Sequence, residues 1–206
     1  MNTKTDSGSN SLEADLAAIR LALGKLTDAW LPWDTENPVD LVNQGDRRVR
    51  YYETWLLDEE QKRMLSVHPA AKFILYASSY LCDVGLTDGQ GLQMFAKDWR
   101  DGRAHALFDQ SLSERACRLI RDGWQNLGVP EKTYVGIITR VCRQAGAAEG
   151  DHVTAAESET ALTGDAAVSV GLLAAYLQLC RAIDLKSPAT ILQIISHMAE
   201  DNRMSP

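Results

Sequence analysis

The chain is poor in the residues that most often do chemistry. Its 206 residues include four histidines and four cysteines, and no two cysteines form a CxxC pair. Cys82, Cys117, Cys142 and Cys180 each stand alone inside an apolar helical pattern, which argues against a zinc knuckle or a disulfide framework. Buried, reduced thiols packing as small hydrophobes are the expectation. His68 precedes Pro69 and reads as a cap or surface residue; His105 falls in a loop-like stretch, His152 in an acidic linker and His197 on a last helix. They share no ligand spacing. No local signature marks a Ser/His/Asp or Cys/His nucleophile. Asp88-Gly-Gln-Gly91 lacks the preceding strand that a phosphate-cradling glycine loop requires.

Other absences bound the class. No apolar run reaches bilayer length, and residues 1–10 lack the apolar core of a signal peptide, so a cytoplasmic location is expected. No stretch shows the alternation and turn spacing of a sheet. Basic residues are outnumbered, 21 Lys and Arg against 28 Asp and Glu, and the net charge of −7 disfavours broad attraction to nucleic acid or anionic lipid. A local basic pocket remains compatible with that total.

What is present is ordinary for one well-buried globular domain: 45% hydrophobic and 24% charged residues in a chain too short for two full domains. Residues 1–10 are polar and Gly/Ser-rich and are expected to form a disordered tail, with a single helical domain over 11–206. A first helix follows from Leu12, Leu16, Ile19, Leu23 and Leu26, with Asn10 and Glu13 as a capping box. Residues 30–38 carry two prolines and two tryptophans and read as an ordered loop pinned by aromatics. A second helix, from about residue 44 to 57, places Val49, Tyr52, Trp55 and Leu56 on one face. A charged turn at 58–63 precedes Pro69, which suits the first turn of a helix. Residues 73–81 are apolar or small on nearly every side, which predicts a central buried helix running to Asp83, with Gly85 as a left-handed cap. Further helices are expected at 92–99, at 113–127 with Gly128 as its stop, from Pro130 to Gly146, at 168–185 and at 191–198. Residues 147–164 are expected to form a mobile loop. The whole reads as an all-α bundle of seven to nine helices.

Four segments, in order, carry a resemblance. Val42-Asn-Gln-Gly-Asp-Arg-Arg-Val49 looks like a motif Asp-His-Gly-x-x-His-x-x-Val, and Tyr80-Leu-Cys-Asp-Val-Gly-Leu86 is similar to Leu-His-Asp-Ile-Gly-Met. The third, residues 113–129, follows a helix that begins with a histidine pair in the family and continues into Ile138-Thr-Arg-Val-Cys-Arg-Gln-Ala-Gly146, which resembles Ile-x-x-Ile-Cys-Arg-x-His-Gly. Residues 172–185 look like Leu-Leu-Ala-x-Leu-Leu-Arg-Leu-Ala-Asp-Ala-Leu-Asp. Together these resemble the HD-domain superfamily of metal-dependent phosphohydrolases, in the branch often joined to GHKL-type ATPases. The resemblance implies an HD-like helical bundle over most of residues 38–187.

The departures fall on the chemistry. Active HD domains hold divalent metal on histidines and aspartates so that a metal-bound hydroxide attacks a phosphoester. The resemblance sets the family's ligand histidines against Gln44 or Arg48, Cys82, Ser113 and Ala145, and its distal aspartate against Arg181; only Asp83 matches. It therefore implies no metal, no cofactor and no catalytic residue: a degenerate, bacterial-type regulatory protein acting through a protein partner. Arg48 and Arg181 are expected to project toward Asp83, so that one or both pair with it in place of a cation. The alternative is a sensor in which Arg48, Arg140 and Arg181 hold an anionic nucleotide or phosphate, and a less favoured reading keeps an active phosphohydrolase with unusual ligands. Trp30 and Trp33 are candidate interface anchors, or else pack onto the bundle.

Overall fold

The computed structural model describes residues 7–30, 40–87, 104–147, 159–161 and 167–185. Within them lie seven α-helices: α1 (Ser7–Trp30), α2 (Leu41–Tyr51), α3 (Glu59–Val67), α4 (Pro69–Leu81), α5 (Ala104–Gly123), α6 (Lys132–Ala145) and α7 (Val170–Leu185). A π-helical turn, Tyr52–Leu56, extends α2, and a 3-10 turn, Val84–Thr87, follows α4. The expected helices at 92–99 and 191–198, and Trp33, lie outside the described residues.

Helix α4 is the axis. Every residue from 73 to 86 is buried, and α1, α2, α3, α6 and α7 all pack against it. Pro69 sits in its first turn as expected, and His68 holds the N-cap position without a side-chain capping bond. Gly85 departs from the expectation. It has no positive φ; a Cβ there would fall 2.6 Å from the Leu112 carbonyl oxygen and 2.9 Å from the Ala116 nitrogen. Glycine is needed at 85 because α5 crosses the 3-10 turn backbone to backbone. The left-handed glycine is Gly128 (φ 75°), where Val129 N–H reaches back to the Trp124 carbonyl at 3.0 Å and closes the C-terminal turn after α5.

Three further expectations are corrected. Helix α1 begins at Ser7, so residues 7–10 are helical and Asn10 lies inside the helix instead of capping it; extending a formed helix by a solvated turn is cheap. The charged stretch after residue 58 is not a turn but the start of α3, because Asp58 and Gln61 form a reciprocal capping box, with Asp58 Oδ1 accepting from Gln61 N–H at 2.8 Å and Gln61 Oε1 from Asp58 N–H at 3.0 Å. His105 is on helix α5, not in a loop.

The buried face of α2 also differs from the expected one. Leu41, Gly45, Arg48 and Tyr52 point inward, and Trp55 is 71% exposed. The π turn inserts an extra residue into the winding, which carries Trp55 out to stack on Tyr51 at 5.3 Å and brings Leu57 in.

Of the span 147–164 expected to be a mobile loop, residues 148–158 and 162–164 lie outside the described residues; Glu159–Ala161, within it, pairs antiparallel with Ala167–Ser169 beyond it, in the register Thr160 opposite Val168. Three-residue strands are too short to register as alternation, so an all-α reading misses them. The Ser169 hydroxyl then accepts from Leu172 N–H at 3.3 Å and caps α7. No described helix is long and apolar enough to cross a membrane.

Gly45 sets the closeness of α2 to α4. A Cβ at 45 would lie 2.0 Å from Tyr80 Cδ1, and the Tyr80 ring cannot swing aside, being buried with its hydroxyl donating to Asp46 at 2.5 Å. Gly45→Ala should therefore lower stability by about 1–3 kcal/mol through overpacking. Equilibrium urea unfolding reads this directly, and an unchanged midpoint would mean that the ring yields.

Candidate functional site

One turn beyond Gly45 on α2, Arg48 is 4% exposed and enters the core. It donates to the Ser79 carbonyl at 2.9 Å, to Cys82 Sγ at 3.0 Å and to Asp83 Oδ2. Helix α7 delivers Arg181, 5% exposed, whose Nε lies 3.7 Å from Asp83 Oδ1 and whose Nη1 donates to the Ala145 carbonyl at 3.3 Å. Asp83, just past the end of α4 and 5% exposed, thus has a guanidinium at each oxygen.

The two arginines share a second feature. Ser79 lies in the last turn of α4 and Ala145 ends α6, and helix C-termini carry unpaired carbonyls and partial negative charge. Each guanidinium therefore answers a helix end as well as the carboxylate. This division of donors makes two buried cations beside one buried anion physically tolerable.

Titration follows from the geometry. Burial by itself pushes the Asp83 carboxyl up, but the guanidinium of Arg48 and then that of Arg181 outweigh it, and the group is held below the ordinary carboxylate value. The Cys82 thiol goes the other way. Burial pushes it up, Arg48 only partly opposes the rise, and it reaches about 12. Cys82 is a protonated thiol in the native chain.

Of the residues singled out from the sequence, the structure brings together Arg48, Cys82, Asp83 and Arg181, with Ala145 contributing its carbonyl rather than its side chain. Gln44 is half-buried one turn before Arg48. Ser113 is buried, and its hydroxyl has no hydrogen-bond partner among the described residues. Arg140 is half-buried on α6. Trp30 ends α1, and nothing described bears on its side chain. Sequence reasoning missed Ser79, which acts through its backbone and leaves no side-chain signal.

The resemblance would put a divalent cation beside Asp83, and the donor set does not fit one. Two of the aligned positions are arginines, fixed cations that repel a divalent ion, and the others are a cysteine, a serine and an alanine, with no imidazole among them. A single carboxylate already engaged by arginines offers too few lone pairs for magnesium or manganese. No group of three or more His, Cys, Asp or Glu suited to a metal occurs among the described residues.

The chain matches no protein-family model, no curated protein and no solved structure.

A second feature lies on the surface. A groove with a cavity volume of about 430 Å³ opens between α3 and the first turns of α7, floored by Leu57, Leu65, Leu173 and Tyr176. His68 lines it, which gives that residue a surface setting. Met64 on one lip is 55% exposed and Leu172 on the other 53%. The signal available beforehand was Met64 and Val67, apolar and one turn apart in a stretch that otherwise reads as charged.

Two outcomes follow from the cluster. Asp83→Asn strands two buried guanidiniums and should cost about 3–5 kcal/mol. Because the folded carboxyl titrates below the unfolded value of about 4, the unfolded chain binds more protons as the pH falls; the stabilisation is complete above about pH 4 and is lost as the pH drops through the folded value. Denaturation of wild type and Asp83→Asn from pH 7 to pH 2 should show the gap closing only below about pH 4, and double-mutant cycles should give a larger coupling to Asp83 for Arg48→Met than for Arg181→Met. All four cysteines are buried thiols, so a thiol-reactive chromophore should label none in the folded chain and four after unfolding. Rapid native labelling of Cys82 would contradict the geometry.

Proposed function

We propose that the chain is a catalytically inactive bundle of the HD type that works in the cytoplasm by binding a protein. The carrying observation is the state of the Asp83 carboxylate, buried and taken up by Arg48 and Arg181 at the place where an active relative would need open coordination. In this reading an ion-pair cluster does the helix-joining that a cation does in active HD domains. Its donors are spent on Asp83 and on the carbonyls of Ser79 and Ala145, which weighs against a sensor that would offer the same arginines to a phosphate. The acidic net charge points away from nucleic acid and toward a protein as partner.

A scan of nucleoside phosphates and phosphodiesters against magnesium, manganese and nickel should release no more phosphate or nucleotide than buffer alone. Turnover that disappears in Asp83→Ala would sink the reading. A tagged chain expressed in its native host should co-purify with one partner at fixed stoichiometry.

A further inference from the structure

We propose that the groove between α3 and α7 is the docking site for an amphipathic helix of a partner protein, one with leucine-like anchors flanked by lysine or arginine. The inference rests on the protein-binding reading above and adds the surface and the chemistry of what it takes.

The apolar surface does not stop at the cavity. Val67, one turn beyond Met64 on α3, is 66% exposed, and Leu179, two turns beyond Leu172 on α7, is 48% exposed. Both lips therefore continue as apolar stripes at helical spacing, longer than a small molecule would cover. Exposed side chains at i and i+3 on α3 and at i and i+7 on α7 repeat at the spacings of anchors on an amphipathic helix laid along them.

The charge around the groove selects the occupant. Asp58 and Glu60 line it, and none of its described lining residues is lysine or arginine. Glu59, beside them in the first turn of α3, exposes 90% of its side chain, with Lys62 at 2.7 Å as its partner. A second copy of this chain would bring its own excess of negative charge, −7 in total, to an acidic rim. A basic amphipathic segment meets both the floor and the rim.

The test uses the full chain and three fluorescein-labelled peptides of 16 residues: an amphipathic Leu/Lys helix, its scrambled isomer, and the Leu/Glu counterpart. Anisotropy should show saturable binding of the Leu/Lys helix, at least tenfold weaker binding of the scramble, and no binding of the Leu/Glu peptide. The double variant Met64→Lys, Leu172→Lys alters two exposed side chains, so its melting should stay within a few degrees of wild type while affinity for the Leu/Lys helix falls at least tenfold. Glu60→Lys should weaken the Leu/Lys peptide at least threefold without touching the Asp58 cap. Equal binding of helix and scramble, full binding by the double variant, or no binding of any peptide overturns the proposal. So does a concentration-dependent dimer in sedimentation velocity that the double variant abolishes, which would make a second copy the occupant. The phosphate-release assay above reads the inactive-bundle reading separately; failed peptide binding without turnover refutes the groove alone.

Discussion

The carboxylate of Asp83 is the point on which the centre of the bundle depends. Taking a carboxylate and two guanidiniums out of water is costly, by several kcal/mol for each ion even after relaxation. The arrangement holds because Arg48 and Arg181 meet different oxygens of Asp83 and send other donors to Ser79 and Ala145. Four helices are tied at once: α2 and α7 through the arginine stems, α4 through Asp83 and Ser79, and α6 through Ala145. Apolar packing alone fixes such elements only loosely in rotation, whereas a forked guanidinium between a carboxylate and a helix end accepts one geometry.

The closeness of α2 to α4 is the condition for that cluster. Gly45 leaves room for the Tyr80 ring, and Asp46 holds the Tyr80 hydroxyl while pairing with Arg20 of α1 at 2.9 Å. Residue 45 thus sets the distance and residue 46 locks it. Residue 48, one turn along the same face as 45, then delivers its charge to the end of α4. The run 45–48 is a short program for docking one helix on another, which explains why a stripe containing glycine and arginine is buried while tryptophan at 55 is not.

Much of this was legible beforehand, and unevenly so. The central position of α4 follows from an apolar run with no polar face, and Arg181 stands out as a charge interrupting an otherwise apolar helix. Arg48 is different, because Arg47 and Arg50 flank it and composition gives no sign that only the middle position turns inward; the alignment with HD motifs is what singled it out. The capping box of α3 was masked by its own charges, since Asp58, Glu59 and Glu60 read as a turn when they are a cap and a first helical turn favoured by the helix dipole. The π turn after Tyr51 has no sequence signature of the periodic kind, and a one-residue slip in winding is enough to exchange Trp55 for Leu57 in the core. The paired strands at 159–161 and 167–169 lie below the length at which alternation can be seen.

Helix α7 joins the two features. Its inner side, Leu173, Leu177, Cys180 and Arg181, packs into the core and ends on the Asp83 cluster; its outer side shows Leu172 and Leu179 to solvent. Helix α7 is therefore a two-sided element, with one face completing the bundle and the other exposing leucines to solvent. Leu173 and Tyr176 floor the groove only if α7 keeps its rotation, and Arg181, one to two turns along, fixes that rotation through a directional bond that leucine contacts cannot supply. A divalent cation in the same place would make the groove's shape depend on metal supply and would be stripped by chelators. An arginine pair makes it constitutive above about pH 4, so the groove keeps its shape whenever the chain is folded, as the docking role proposed for it requires.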